Sequence, residues 1–273
     1  MKKFAKILIQ AMVLSIAAAG VAMATPSTQI WIPSTDVQDF KTFHLGIDNY
    51  FRASGVGRAT GNPSVRDANV YDIGPVAGFL PFEKLKGEIG FDYLVSGTEP
   101  NDNHPWSGNI KLGTPEDSLF KNSPAIAIGG YNLAPSQPQA IAPGITAGQN
   151  ILYGLVAKTL PAFGSVPSLG RFSVGYYGGS EKALLGPVKS DGSRDAENHG
   201  LLASWDRSMT EISDKLWAAV DYQGGKNVDS SVNFGVSWNF AKNVSVIFGY
   251  DVYLYKTLAG NNTFTTQLDI NFP

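Results

Sequence analysis

The stretch 231–273 constrains the fold more than any other part of the sequence, because apolar and polar residues alternate along it. Small or polar residues separate the apolar positions of its first run, which are Val232, Phe234, Val236, Trp238 and Phe240. Two further runs, 244–253 and 264–272, repeat the pattern. A period of two over about ten residues indicates strands. An apolar face opposite Asp, Asn and Gln is typical of a β-barrel with lipid outside and a polar interior.

Similar runs occur along the whole chain after residue 42. The twelve predicted strands are 43–52, 70–80, 85–96, 107–113, 124–133, 150–160, 170–180, 199–208, 215–223, 231–240, 244–253 and 264–272. Long and short connections mostly alternate between them, as in barrels with long loops on one side and short turns on the other. The sequence therefore predicts an all-β chain, a transmembrane antiparallel up-and-down β-barrel of about twelve strands over 43–273. Pro75, between glycines in the second run, predicts a β-bulge there.

The first 42 residues divide into two parts. Three lysines near the start, an apolar and small-residue stretch at 7–21, and Ala22-Met23-Ala24 form the pattern of a signal peptide over 1–24. Residues 25–42 are polar and have no clear period. We expect this part to be either a periplasmic lead-in or a segment inside the barrel, with Trp31 as an anchor.

The final strand carries a family resemblance. It ends on Phe272, one residue before the chain stops, and this resembles the closing strand of bacterial outer-membrane β-barrels, whose last residue is typically Phe; Pro273 departs from that pattern. The resemblance implies residence in outer-membrane lipid after export. It also implies insertion by the barrel-assembly machinery through the signal at 265–272.

Projecting the strands onto a barrel places many charged side chains inside. A Lys or Arg facing lipid at the midplane costs about 2–4 kcal/mol, which favours an inward assignment. The predicted lumen-lining residues are Asp48, Arg52, Glu88, Asp92, Lys111, Lys158, Arg171, Lys215, Asp221, Asp251 and Asp269.

Two functions fit a charged lumen. Side chains fill a barrel of about 8 strands, whereas 16–18 strands leave an aqueous channel, so about twelve strands lies between these cases. The first hypothesis is a narrow porin-like channel for passive diffusion of small solutes, with the inward charges as its lining. The alternative is a closed structural or adhesion barrel that displays the loops 53–69, 134–149 and 181–198.

An outer-membrane hydrolase is the least favoured alternative. The chain has no cysteine, so it has no thiolate nucleophile, disulfide or zinc–thiolate site. Its three histidines are His44, His104 and His199, and no zinc-protease, phosphate-loop or nucleophile-elbow motif is present. We therefore predict no catalytic residues, no metal site and no cofactor. A formal net charge of −2 without a basic block argues against a nucleic-acid partner.

Overall fold

A computed structural model describes residues 27–52, 69–96, 105–135, 148–162, 164, 168–194 and 197–273. The predicted signal peptide 1–24 and His104 lie outside these residues. The strands are β1 (Phe43–Phe51), β2 (Val70–Gly78), β3 (Lys86–Ser96), β4 (Trp106–Thr114), β5 (Ala125–Leu133), β6 (Ile151–Leu160), β7 (Gly170–Gly178), β8 (His199–Ser208), β9 (Leu216–Gln223), β10 (Ser231–Ala241), β11 (Val244–Tyr253) and β12 (Thr263–Phe272). A single-turn helix, α1 (Lys256–Ala259), precedes β12.

The twelve strands form one closed barrel in which each strand pairs with its sequence neighbours. Antiparallel pairing of β1 with β12, from Phe43↔Phe272 to Phe51↔Phe264, closes the cylinder. Closure leaves no unpaired sheet edge, which would otherwise be a site for aggregation. The predicted fold class and strand number are confirmed. Within the described residues, no helix is long and apolar enough to cross a membrane.

The two faces of the barrel wall differ in chemistry, as β12 illustrates. Its inward residues are buried and polar, namely Thr263, Thr265, Gln267, Asp269 and Asn271. Its outward residues are mostly apolar, and similar outward side chains on other strands are strongly exposed, such as Phe91, Leu152 and Val174. An exposed apolar band around a closed barrel is the surface that lipid covers.

The predicted bulge at Pro75 is wrong. The pairing of β2 with β3 runs from Ile73↔Tyr93 to Val76↔Gly90, so the register is the same on both sides of the proline. Pro75 lies on the outward face. Gly74 and Pro75 have no paired residues on β3, although the pairing resumes in the same register at Val76. Gly74 serves another purpose, because a Cβ there would collide with the inward carboxylate of Asp92.

Candidate functional site

The N-terminal residues 27–42 are here named the lumen segment. Residues 27–38 lie inside the barrel, whereas residues 39–41 are exposed. Residues 27–34 form a tight hairpin closed by a bridge between Thr28 and Pro33 and by a hydrogen bond from Ser34 N to Ser27 O. The segment then passes Gly78, whose amide pairs with Thr42 O, and continues into β1. Its tip, Ile30, packs against the inner wall where an added Cβ at Gly235 or Gly249 would approach it within 2.9 and 3.0 Å. Glycines on these strands therefore make room for the segment.

A buried carboxylate on β9 holds the tip of the hairpin. Asp221 Oδ2 accepts backbone N–H groups from Ile30 and Trp31, both at 2.8 Å, and from Ile32 at 3.4 Å. Its Oδ1 accepts the Asn233 amide at 2.7 Å, and the Asp221 side chain is almost completely buried. Such hydrogen bonds to an ionised acceptor are stronger than neutral ones. Asp221 is therefore a main attachment point of the segment.

Charged side chains on β4 and β7 hold the segment at Ser27 and at Asp36. Arg171 forms a bidentate pair with Asp36 at 2.7 and 2.8 Å, and its Nε also contacts Asp206 at 2.9 Å. Burial would raise the pKa of Asp36, but the adjacent Arg171 guanidinium outweighs it and holds the pKa below its usual value. Lys111 Nζ donates to the carbonyls of Ser27 and Asp36, each at 2.8 Å. Lys111 and Arg171 therefore both bind the lumen segment.

Apolar contacts fill the lumen on the β6–β8 side. Ile32 of the lumen segment joins a buried cluster with inward side chains of β6, β7 and β8 and with residues from outer connections. Those wall residues include Leu155, Tyr177 and Leu202, and the connections contribute Leu184 and Leu258. Water is excluded from such a packed cluster. These side chains therefore fill part of the described lumen on this side.

A cavity of about 170 Å³ remains on the opposite side, between the lumen segment and the wall formed by β12 and β1–β6. Its lining is strongly acidic. The carboxylates that line it are Asp48, Asp72, Glu88, Asp92, Asp229 and Asp269. One lysine, Lys111, also lines it, and this residue pairs with Glu88 at 3.0 Å with both side chains buried.

The acids at the centre of this wall have no basic partner. Within the described residues, none of Asp48, Asp72 and Asp92 forms an ion pair with Lys or Arg. Asp48 and Asp72 are opposite each other in the β1–β2 register, and Asn109 donates to Asp92 at 2.8 Å. Asp269, further around the wall, lies 3.4 Å from His44 Nε2. The cavity therefore has more carboxyl groups than basic groups in its lining.

Asp229, in the connection between β9 and β10, marks another part of the cavity lining. Gln149 donates to it at 3.1 Å, and the side chain is buried. Burial raises the pKa of Asp229 to about 7, although the Gln149 hydrogen bond opposes the shift. This carboxyl group therefore changes its charge near neutral pH.

The structure places most of the predicted lining residues inside, in two groups. Asp48, Glu88, Asp92, Lys111 and Asp269 line the acidic cavity, whereas Arg171 and Asp221 hold the lumen segment. Asp251 is buried and accepts the Thr263 hydroxyl at 2.6 Å. Arg52 follows β1, and its guanidinium donates to the carbonyls of Ala259 and Asn261 beside α1.

Two predicted lining residues are not in the lumen. Lys158 is opposite Phe172 in the β6–β7 register and shares its outward face; its ammonium group reaches Glu116 at 3.1 Å in the β4–β5 turn. Lys215 lies in the exposed β8–β9 turn, before β9 begins at Leu216. Both predictions are wrong because these lysines lie at or near strand ends, where a long side chain reaches water without entering the lumen.

The sequence interpretation missed Asp72 and Asp229. Asp72 has the same inward parity as Gly74 and Val76, and this alternation was obscured by the glycines and proline around it. Asp229 comes before β10 in a connection that has no period. Within the described residues, no group of three or more His, Asp or Glu side chains is placed to hold a metal ion.

The fold and the site together define a membrane β-barrel whose own N-terminal segment crosses its interior. No protein-family model matches the chain, and a search of curated proteins found no match. Similar solved structures include an outer membrane channel from Pseudomonas putida F1, with 11% identity, 87% of this chain and 96% of that chain covered, and a TM-score of 0.45. The NanC porin has 8% identity, coverage of 84% and 99%, and a TM-score of 0.43. The chain is a barrel because its twelve strands pair into a closed cylinder. The structural similarities, with TM-scores below 0.5, carry no further argument.

Proposed function

We propose that the chain is a narrow outer-membrane channel that passes small cationic solutes along the acidic side of its lumen. The observation that carries this proposal is the cavity beside the lumen segment, where Asp48, Asp72 and Asp92 have no basic partner in the described chain. Rings or clusters of one charge in a confined pore select ions of the opposite charge. Low-dielectric walls strengthen this effect by focusing the field.

Export and membrane insertion form part of the same proposal. The signal-peptide pattern at 1–24 supports export. The alternating strand β12, which closes the barrel with Phe272 opposite Phe43, supports recognition by the barrel-assembly machinery. The exposed apolar band supports residence in lipid. Under this proposal the lumen segment narrows the pore, so large solutes are excluded.

Planar-bilayer recording of the purified, folded chain tests the proposal. We expect discrete ohmic steps and a reversal potential in a KCl gradient that indicates cation selectivity. The double variant Asp48→Asn with Asp72→Asn should reduce that selectivity. Asp214→Asn, which removes an exposed charge in the β8–β9 turn, is the matched control and should leave it unchanged.

The second candidate is a closed barrel that acts through its outer loops. The lumen segment and the apolar cluster around Ile32 favour it, since together they seal the β6–β8 side. A barrel that shows the heat-dependent gel shift of a folded protein but never conducts would support this candidate and overturn the channel.

A further inference from the structure

Aromatic rings contribute to the acidic cavity as well as carboxylates. Trp31 of the lumen segment, Tyr50 of β1 and Tyr153 of β6 all line it. Trp31 packs edge-on against Tyr50, with ring centroids 5.4 Å apart, and against Tyr253 at 5.7 Å. Fixed rings beside carboxylates are a combination that attracts organic cations, because the ring face is electronegative.

One carboxylate oxygen at this cavity lacks a hydrogen-bond partner. Asp72 accepts no hydrogen bond from any described residue, and its Oδ1 is shielded from solvent. A buried polar group left unpaired costs about 1–3 kcal/mol, more when it is charged. Asp72 therefore indicates a ligand with hydrogen-bond donors. Tyr153, which also lines the cavity, is only 7% exposed.

The size of the cavity fits an organic ion. One water molecule needs roughly 10–15 Å³ by this measure of volume, so about 170 Å³ holds an ion of several heavy atoms. A primary ammonium group carries three donors and one positive charge, which suit neighbouring carboxylates. Its hydrocarbon chain gains by leaving water for aromatic surface.

We propose that this cavity binds small alkylammonium ions. The ammonium group pairs with Asp48, Asp72 and Asp92, and the alkyl chain lies against Trp31, Tyr50 and Tyr153. The inference deepens the proposed function by naming its solute class, and it rests on that function for transport, while binding itself is measured separately.

Isothermal titration calorimetry of the detergent-solubilised chain with n-butylammonium chloride tests the proposal. We expect saturable binding, no measurable binding of the neutral n-butanol, and at least tenfold weaker binding of ammonium chloride, which lacks the alkyl chain. Asp72→Asn should weaken n-butylammonium binding at least tenfold, and the control Asp214→Asn should not. The heat-dependent gel shift establishes that each variant is folded.

Three results would overturn the site: no saturable binding, equal binding of n-butanol, or an affinity unchanged by Asp72→Asn. KCl conductance of the same preparation separates this test from that of the channel. A preparation that conducts K⁺ but does not bind n-butylammonium removes the site and keeps the channel. A preparation that binds the ion selectively and loses this binding with Asp72→Asn, yet never conducts, keeps the site and removes the channel.

Discussion

Asp221→Asn should release the tip of the lumen segment without unfolding the barrel. The wild-type carboxylate accepts two backbone N–H groups at 2.8 Å, from Ile30 and Trp31, in a fully buried position. Asparagine keeps the shape of the side chain but replaces one acceptor oxygen with an NH₂ group. The new NH₂ group then faces either the backbone N–H groups of the segment or the side-chain amide of Asn233, and it cannot accept a hydrogen bond from either.

The magnitude follows from these contacts. A hydrogen bond to a charged group contributes about 1.5–3 kcal/mol, and the substitution weakens two of them while retaining one neutral acceptor. We take about 3 kcal/mol as the loss in the free energy of docking the segment. Since about 1.4 kcal/mol corresponds to a factor of ten, the undocked fraction should rise roughly 100-fold.

Thiol labelling measures this fraction directly, because the chain has no cysteine of its own. Ser34→Cys introduces a thiol at a position that is 1% exposed in the docked segment. A maleimide reagent should modify it roughly 100-fold faster in the Asp221→Asn background. Ser118→Cys, in the β4–β5 turn, reports on reagent access in both backgrounds. Labelling of Ser34→Cys that stays equally slow, in a variant with unchanged conductance, would refute the assignment of Asp221 as an anchor.

Four further predictions concern other parts of the barrel. Since Asp229 has a pKa of about 7, cation selectivity should fall between pH 8 and pH 6, and Asp229→Asn should remove that step in reversal potential. An Asp in the unfolded chain has a pKa of about 3.9. Between about pH 4 and pH 7, Asp229 is therefore protonated in the folded chain and ionised in the unfolded chain. Asp229 should therefore lower stability as pH rises from about 4 to 7, and thermal unfolding of the wild type and Asp229→Asn over this range measures it. Lys158→Gln should leave the reversal potential unchanged, because the side chain faces outward and pairs with Glu116; a shift toward cations would place it on the ion path. Deleting Phe272 and Pro273 should reduce the amount of folded barrel in membranes, since Phe272 closes the β1–β12 seam opposite Phe43, and normal levels on heat-shift gels would contradict this.

The barrel could be predicted from the sequence because its strands obey a short-range rule. Polar and apolar residues alternate clearly in β10–β12, and the inward side of those strands was assigned correctly. In β6 the rule loses its power, because Tyr153 and Leu155 face inward while Leu152 and Val156 face lipid. With apolar residues on both faces, only the cost of a charge in lipid indicates from sequence which way Lys158 faces. That cost vanishes near the strand end, where the ammonium group reaches Glu116.

The lumen segment could not be placed from sequence for a different reason. It has no period, and its position depends on partners far away in the chain, such as the carboxylate of Asp221 and the guanidinium of Arg171. Backbone N–H groups donate to Asp221, so the side-chain identities of Ile30 and Trp31 carry no signal of that contact. A hydrogen bond that any residue could make leaves no pattern in the sequence.

This segment also changes how the charges of the wall should be interpreted. Projection of the strands gives a lumen of mixed sign, whose charges either line a selective pore or pair with one another and close it. In the folded chain, however, Arg171 pairs with Asp36 and Lys111 pairs with Glu88, while Asp48 and Asp72 have no basic partner in the described chain. The bases have acidic partners nearby, and the acids at mid-wall have no basic partner among the described residues. Selectivity should therefore follow the unpaired carboxylates beside the segment. Undocking the segment would remove Asp36 from Arg171 and leave that guanidinium with Asp206 alone, which should weaken the preference for cations.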